Sequence, residues 1–188
     1  LSFDLNAACS GFVYAVDTAR RFLETDENMK YAIIVASENL SRVVDFNDRN
    51  TCILFGDGAA AAVISKSDTL YSSYLGSDGS IANVLFARSV NTNEKFAAES
   101  DFNDGFEGDN MHAIYQNGKE VYKFAVKALP HAFEKSAEKI GISADEIDLF
   151  VPHQANLRIL ETAAKNLGVS MDKFFVSLDK FGNTSSAS

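Results

Sequence analysis

The strongest constraint on the fold of this chain is a set of short, unbroken apolar runs. Residues 31–36 read Tyr-Ala-Ile-Ile-Val-Ala, and residues 51–55 form a second run. Short continuous runs are typical of strands covered on both faces, as in parallel or mixed sheets with helices on each side. Five further strands are expected from the apolar pattern, at residues 1–5, 59–65, 70–75, 147–151 and 174–178.

Three segments with apolar side chains at helical spacing lie between these runs. They cover residues 9–24, 120–140 and 156–167. Gly141 and Gly168 follow the second and third segments and are expected to end them. Pro130 should kink the second helix, because it removes a backbone donor. Strands that alternate with helices predict a layered α/β fold.

Composition and charge narrow the classes of function. The chain has 188 residues, of which 46% are hydrophobic and 23% are charged, as in an ordinary globular protein with a sizeable core. Its net charge of -9 argues against nucleic acid or an anionic membrane as the main partner. No apolar run approaches the roughly 20 residues that span a bilayer, so we expect a soluble protein.

Cysteine usage and the two ends of the chain add context. Cys9 and Cys52 are far apart and lack a CxxC spacing, so they suggest neither a disulfide framework nor a zinc site. A reducing, cytoplasmic setting fits best. A strand pattern is already under way at residue 1, and residues 182–188 read as a loop that opens a helix. We therefore expect an internal segment of a longer protein.

Cys9 is a candidate nucleophile. It lies among small residues where the first predicted strand gives way to the first predicted helix. Unpaired backbone N–H groups and the helix dipole at such a position favour the thiolate, which is the reactive form of cysteine. Free cysteine is also among the most buried residue types, so this segment alone leaves a structural role open.

Two further polar side chains follow predicted strands. His153 lies where the strand at residues 147–151 emerges, at the edge where α/β sheets place their ligands. Asn183 follows the strand at residues 174–178 in the same topological position, although a turn residue is the simpler interpretation of Asn183 alone. Three reactive side chains at three strand ends form a stronger constellation than any one of them.

Other segments carry weaker signals. Residues 94–109 hold six acidic residues, and we expect an exposed loop there, within residues 85–115. His112 in this region and His131 on a predicted helix are poor candidates for chemistry. The glycines on either side of Asp57 favour a turn or close backbone packing over a phosphate cradle, because the pattern GxxxxGK[ST] is absent.

Four ordered motifs make the sequence recognisable. They are Ala7-Ala8-Cys9-Ser10-Gly11-Phe12, Phe55-Gly56-Asp57-Gly58-Ala59, Val151-Pro152-His153-Gln154-Ala155-Asn156 and Gly182-Asn183-Thr184-Ser185. In order and spacing they resemble the beta-ketoacyl-acyl carrier protein synthase III family of thiolase-fold condensing enzymes. The resemblance implies an α/β, thiolase-like layered fold with mixed sheets, incomplete at both ends. Residues 1–117 would complete its N-terminal half, and residues 118–188 would begin its C-terminal half.

The resemblance implies a Cys-His-Asn site. Cys9 would accept an acyl group from acyl-CoA as a thioester. Malonyl-acyl carrier protein would then lose carbon dioxide, and hydrogen bonds from His153 Nε2–H and the Asn183 amide would stabilise the enolate that forms. A neutral histidine suffices for this role. The family's backbone oxyanion hole pairs the cysteine N–H with a glycine N–H from a later segment, so we expect the 188 residues alone to be inactive.

Other positions carry over from the family less directly. Arg49 matches a contact to the CoA nucleotide, Phe55 matches the acyl-pocket region, and Asn156 matches a position near the pantetheine and a catalytic water. Gly118 matches a pantetheine-binding position. Lys119 replaces the asparagine expected after it, which puts a side-chain contact to the pantetheine there in doubt.

Basic residues form two stripes in this acidic chain. Lys119, Lys123 and Lys127 recur at every fourth position, and Arg158 and Lys165 lie on the helix after His153. Solvated helix faces often look like this. The match of Lys123 and Arg158 to basic family positions supports docking of an acidic acyl carrier protein instead.

Alternatives within and outside the family stay open. Related thiolase-superfamily synthases make polyketides or quinolones with similar residues, and a non-catalytic partner subunit belongs to a different class. Partner subunits typically lose the cysteine, whereas Cys9, His153 and Asn183 are all present here. By resemblance we expect a homodimer with no metal and no cofactor, since acyl-CoA and malonyl-acyl carrier protein are substrates.

Overall fold

The computed structural model describes residues 1–87 and 113–188. Its helices are α1 (Gly11–Thr25), α2 (Gly118–Glu138), α3 (Leu157–Leu167) and α4 (Leu178–Phe181). Its strands are β1 (Tyr31–Glu38), β2 (Gly58–Ser65), β3 (Leu85–Ala87) and β4 (Ile114–Gln116). The predicted acidic loop at residues 94–109 and His112 lie outside the described residues. None of the helices described is long and apolar enough to cross a membrane.

Strands β1 and β2 form an antiparallel pair on which α1 packs. The register runs from Tyr31 opposite Ser65 to Glu38 opposite Gly58. Ile34 and Ala36 are buried, whereas Ile33 is 70% exposed. The prediction that β1 is covered on both faces is therefore wrong for the part of the chain described, because α1 shields one face of a strand whose side chains alternate.

Three predicted strands do not form. Residues 1–5 have no ladder partner among the described residues and instead line an open groove of about 1060 Å³ with α1 and β1. Residues 51–55 form turns, because the Asp48 carboxylate accepts hydrogen bonds from the Asn50 N–H and the Thr51 hydroxyl, both at 2.9 Å. Residues 70–75 are fastened to the helices by side-chain hydrogen bonds rather than by a ladder.

The C-terminal elements enclose a core between α2 and α3. Its buried members are Leu160, Ala163, Ala164 and Phe174, and Phe150 packs against them. The predicted strands at residues 147–151 and 174–178 are reduced to one parallel bridge between Phe150 and Phe174, whose rings stack at 4.8 Å. The predicted helices at 120–140 and 156–167 are confirmed to within two residues at each end.

Helix ends follow the sequence signals. The Asn156 side chain caps α3 by accepting a hydrogen bond from the Arg158 N–H at 2.9 Å. Gly168 ends the helix with φ +70°, a conformation that favours glycine. Helix α2 runs through Pro130, which is buried. These ends place His153 just before α3.

A buried carboxylate ties α1 to the segment at residues 70–75. Asp17 is 2% exposed and accepts hydrogen bonds from Arg21 Nε and from the Ser73 hydroxyl, both at 2.7 Å. Arg20 lies over the Tyr71 ring at 4.7 Å. The hydrogen bond from Arg21, followed by that from Ser73, lowers the pKa of Asp17. The carboxylate is thus held ionised where α1 meets this segment.

The Phe55 motif and the Asn183 motif interlock. The Asn183 N–H donates to the Leu54 carbonyl at 2.8 Å, and the Gly56 N–H donates to the Asn183 carbonyl at 2.9 Å, which forms a parallel bridge between Phe55 and Asn183. A Cβ added at Gly56 would lie 2.4 Å from the Phe181 carbonyl oxygen. The predicted close backbone packing around Asp57 is confirmed, and it fixes the position of Asn183.

Candidate active site

The site is built around the turn that follows Asn183. This 3-10 turn, Ser185–Ala187, packs against the 3-10 turn Ala8–Ser10, which carries Cys9. Two residues in these turns have left-handed backbone without being glycine, namely Ala8 with φ +47° and Ser185 with φ +54°. Such strain persists only where the surroundings hold it, and it clusters at functional sites. Ala8 directly precedes the candidate nucleophile Cys9, and Ser185 lies on the turn that packs against it.

Cys9 is half-buried, and its turn packs against the turn that carries Ser185. Burial raises the pKa of the Cys9 thiol, the hydrogen bond from Ser185 partly lowers it, and the charge of Glu38 raises it further. The expectation that the helix N-terminus favours the thiolate is therefore wrong for the resting state. Helix α1 begins only at Gly11, and desolvation together with a nearby carboxylate keeps the sulfur protonated.

Asn183 is 8% exposed, and its side chain is oriented by the same turn. Its Oδ1 accepts a hydrogen bond from the Ser185 N–H at 2.9 Å. Because the oxygen end of the amide is engaged in this way, the Nδ2 end is the one suited to donate to a bound oxyanion. The turn that reaches Cys9 thus also sets the direction of the Asn183 amide.

His153 approaches this turn from the segment before α3. Its Nδ1 lies 3.3 Å from the Ser188 Oγ, and that hydroxyl lies 3.1 Å from the Ser185 carbonyl oxygen. Burial lowers the pKa of His153, and a backbone hydrogen bond with Ser188 partly offsets this. The imidazole is therefore held neutral at pH 7. The Ser188 hydroxyl donates its one proton to the Ser185 carbonyl oxygen, so towards His153 Nδ1 it acts as an acceptor. A turn of this hydroxyl towards Nδ1 would place the ring proton on Nε2.

The three predicted residues therefore converge on one short segment, residues 183–188. Cys9 meets it at Ser185, His153 meets it at Ser188, and Asn183 begins it. The predicted reason for this convergence, three strand ends at one sheet edge, is only partly right. No strand ladder precedes Cys9 in the described chain, and Asn183 follows α4 and forms a bridge itself.

A cavity of about 380 Å³ opens beside Asn183. Its wall includes Asn156 and Arg158 from the start of α3, and Ile53 and Leu54 from the turn before Phe55. The structure therefore brings two of the secondary predictions, Asn156 and Arg158, to the same cavity as Asn183. Phe55 lies next to this cavity, because it forms a backbone bridge with Asn183.

The remaining predicted positions lie outside this cavity wall. Arg49 is exposed on the turn at residues 48–51, and Gly118 is the first residue of α2. Lys119, Lys123 and Lys127 are exposed along α2, and Lys123 pairs with Glu120 at 2.7 Å. Within the described residues the α2 stripe is a solvent-facing surface on a helix that packs against α3.

Sequence reasoning missed the contribution of Glu38 and Ser186. Glu38 ends β1, and its carboxylate accepts hydrogen bonds from both the N–H and the hydroxyl of Ser186. A signal was present, because Glu38 is the one charged residue in a strand of apolar and small residues. It lies at the end of its strand, as His153 and Asn183 lie just after other predicted strands.

Comparisons with known proteins agree with this geometry. Residues 3–79 match the family model described as 3-oxoacyl-[acyl-carrier-protein] synthase III, and residues 137–188 match the model of its C-terminal part. A beta-ketoacyl-[acyl-carrier-protein] synthase III of Clostridium acetobutylicum is 46% identical over 187 residues, which are 98% of this chain and 55% of that protein.

Solved structures show the same fold. The synthase III of Thermus thermophilus superposes with a TM-score of 0.85 at 40% identity, over 99% of this chain and 56% of the other. The priming beta-ketosynthase of the R1128 polyketide pathway gives 0.81 at 35% identity, over 99% of this chain and 54% of the other. These matches confirm the predicted α/β thiolase-like fold.

The chain thus has a thiolase-like fold, and its turns bring Cys9, His153 and Asn183 together. It belongs to the beta-ketoacyl-acyl carrier protein synthase III family. The chain spans about half the length of the curated relatives it matches.

Proposed function

We propose that the protein is an initiating condensing enzyme of type II fatty acid synthesis. It transfers an acyl group from acyl-CoA to Cys9 and condenses it with malonyl-acyl carrier protein, with loss of carbon dioxide. The observation that carries the proposal is the convergence of Cys9, His153 and Asn183 on residues 183–188. An acyl acceptor and two oxyanion donors brought together around one turn are the parts that this reaction needs.

In the first half-reaction the Cys9 sulfur attacks the acyl-CoA thioester carbon. The bond from that carbon to the CoA sulfur breaks, and the proton of the Cys9 thiol ends on the released CoA. The raised pKa of Cys9, due first to burial, supports a resting sulfur that is a thiol. The backbone N–H of Cys9 is an available donor to the developing oxyanion.

In the second half-reaction the malonyl group loses carbon dioxide and forms an enolate. Asn183 donates through Nδ2, and His153 donates through Nε2 in the tautomer that carries the ring proton on that nitrogen. The carbanion attacks the acyl thioester on Cys9, the carbon–sulfur bond breaks, and the Cys9 thiolate that leaves takes a proton from water. The lowered pKa of His153, due to burial, supports a neutral donor that does not compete as a base.

The substrates would enter past α3. Asn156 and Arg158 line the cavity next to Asn183. There Asn156 would contact the pantetheine and Arg158 would contact the carrier protein. Lys119, Lys123 and Lys127 extend a basic stripe along α2, which packs against α3. This surface suits an acidic acyl carrier protein, although the exposed pair of Lys123 with Glu120 contributes little by itself.

Several finer assignments belong to the same proposal. Arg49 would contact the CoA nucleotide, Phe55 would shape the acyl pocket, and Gly118 would lie along the pantetheine. No metal or cofactor takes part in the proposed chemistry. We further propose a cytoplasmic homodimer, in line with the family resemblance.

A kinetic dissection of the full-length protein tests the proposal. Acyl transfer from acyl-CoA and decarboxylation of malonyl-acyl carrier protein are measured separately in Cys9→Ala and Asn183→Ala variants. We expect Cys9→Ala to lose acyl transfer and Asn183→Ala to keep it while losing decarboxylation. A protein that performs neither step would favour a non-catalytic partner subunit.

The polyketide alternative is less supported, since identity is 46% to a synthase III and 35% to the polyketide priming enzyme.

A further inference from the structure

Glu38 occupies a junction between β1 and the two turns of the site. It is the last residue of β1, and the turn Ser185–Ala187 packs on this strand as well as on the turn Ala8–Ser10. One carboxylate oxygen, Oε1, accepts the Ser186 N–H at 3.3 Å and also the Ser186 hydroxyl. This contact joins residues that are 148 positions apart.

We propose that Glu38 is a positioning residue for the nucleophile, which clamps the turn Ser185–Ala187 through Ser186 so that Ser185 reaches the Cys9 sulfur. The inference extends the proposed function, since it assigns the element that holds the acyl-accepting thiol. It concerns Glu38 alone, which touches neither the sulfur nor the two donors in the described contacts.

The packing around Ser186 supports a clamp. A Cβ added at Gly11 would lie 3.3 Å from the Ser186 Cβ, so the first residue of α1 lies directly against this turn. The adjoining Ser185 has the strained φ of +54°. A strained residue keeps its conformation only when its neighbours over-determine it, and Glu38 on one side with Asn183 Oδ1 on the other supplies that restraint.

The same carboxylate also affects the chemistry of the sulfur. The titratable groups around the Cys9 turn are Glu38 on β1 and His153, which meets the turn through Ser188. Burial is the largest cause that raises the pKa of Cys9, and the negative charge of Glu38 raises it further. The hydrogen bond from Ser185 acts in the opposite direction. Removal of the charge at constant shape should therefore increase the thiolate fraction at neutral pH.

Alkylation of the full-length protein separates the two effects. Glu38→Gln keeps an acceptor for Ser186 but removes the charge, whereas Glu38→Ala removes both. Iodoacetamide labelling of Cys9 is followed by peptide mass against pH, with Cys52 as the internal reference. We expect Glu38→Gln to label Cys9 about three to ten times faster at pH 7, because one pKa unit changes the thiolate fraction tenfold. Glu27→Gln, in the exposed turn before β1, should leave the labelling of Cys9 unchanged.

Turnover provides the second readout. We expect Glu38→Ala to lower the kcat of condensation by at least about tenfold with little change in the KM for acyl-CoA, since a displaced catalytic group costs rate. Glu38→Gln should stay within about threefold of wild type. An unchanged Cys9 labelling profile in Glu38→Gln, or a wild-type kcat in Glu38→Ala, would overturn the assignment. The labelling arm needs no turnover, so it decides the matter even for a protein that does not condense acyl-CoA.

Discussion

A serine-rich turn sets the positions of the individual reactive residues in this site. Ser185 hydrogen-bonds the Cys9 sulfur and donates its N–H to Asn183, and its carbonyl oxygen lies near the Ser188 hydroxyl that meets His153. Backbone groups and short hydroxyls have few rotamers, so they fix geometry at low entropic cost. The turn is the element that preorganises the proposed chemistry.

His153 should stay neutral to a lower pH than an ordinary histidine. Burial lowers its pKa, so we expect an NMR titration of its ring in the full-length protein to show a midpoint below about 6.5. Because the pKa of His153 is lower in the folded protein than in the unfolded chain, its contribution to stability is full at pH values above the unfolded pKa. This contribution is lost as the pH falls through the folded pKa. A midpoint at or above 6.5 would contradict the burial argument.

The sequence predicts three candidate residues that the structure brings to one turn, but it predicts the protonation state of only one of the two that titrate. Local motifs single out Cys9, His153 and Asn183, and a neutral His153 agrees with the expectation. A thiolate at Cys9 does not, because Glu38 and the burial of the sulfur arise from residues distant in sequence. Long-range contacts of this kind leave no mark in the Cys9 segment.

At the scale of elements, periodicity predicted helices better than strands. Helices satisfy their hydrogen bonds internally, so α2 and α3 appear close to the predicted bounds. A strand needs a neighbour, and residues 1–5 and 70–75 have no ladder partner in the described chain. Apolar patterning therefore indicates where a strand could form, while pairing decides whether it does.

Gly56 tests the interlock between the Phe55 and Asn183 motifs. We expect Gly56→Ala to destabilise the full-length protein by about 1–3 kcal/mol, because the new Cβ would lie 2.4 Å from the Phe181 carbonyl oxygen. Denaturant unfolding measures this change. Gly79→Ala is the matched control, since a Cβ there meets nothing within 4 Å and should change stability by less than about 0.5 kcal/mol. Equal effects of the two substitutions would rule out a tight interlock.

Asp17 tests the attachment of α1 to the segment at residues 70–75. We expect Asp17→Asn to cost about 1–3 kcal/mol at pH 7, because the variant loses the ionised acceptor of Arg21 and Ser73. The pKa of Asp17 is lowered, so its stabilisation is full above about 3.9 and is lost as pH falls through the folded value. In denaturant unfolding, the difference in the free energy of unfolding between Asp17→Asn and wild type should shrink at acidic pH. Asp68→Asn, at an exposed position, is the control and should have little effect at any pH.

The whole molecule joins segments that are far apart in sequence at one site. The turn at residues 185–187 meets β1, the Cys9 turn and the segment before α3, and the Phe55 motif braces it through Asn183. The family and the thiolase-like fold were predictable, because four motifs keep their order and spacing. The clamp by Glu38 was not, since only the folded chain brings it to Ser186.

The basic surface of α2 and α3 can be tested by charge reversal. We expect the double variant Lys123→Glu with Arg158→Glu to raise the KM for malonyl-acyl carrier protein by about tenfold, while use of acyl-CoA changes little. Steady-state kinetics with each substrate varied in turn make the measurement, and Lys30→Glu, an exposed position before β1, serves as control. An equal loss with both substrates would show that the surface does not dock the carrier protein.

The central claim is that Cys9 carries the acyl group, and intact-mass analysis of the full-length protein tests it most directly. After mixing with a panel of short-chain acyl-CoAs, the protein should gain the mass of one acyl group on Cys9. The adduct should persist in Asn183→Ala and be absent from Cys9→Ala. Absence of any adduct in the wild-type protein, or an adduct that survives Cys9→Ala, would contradict the account.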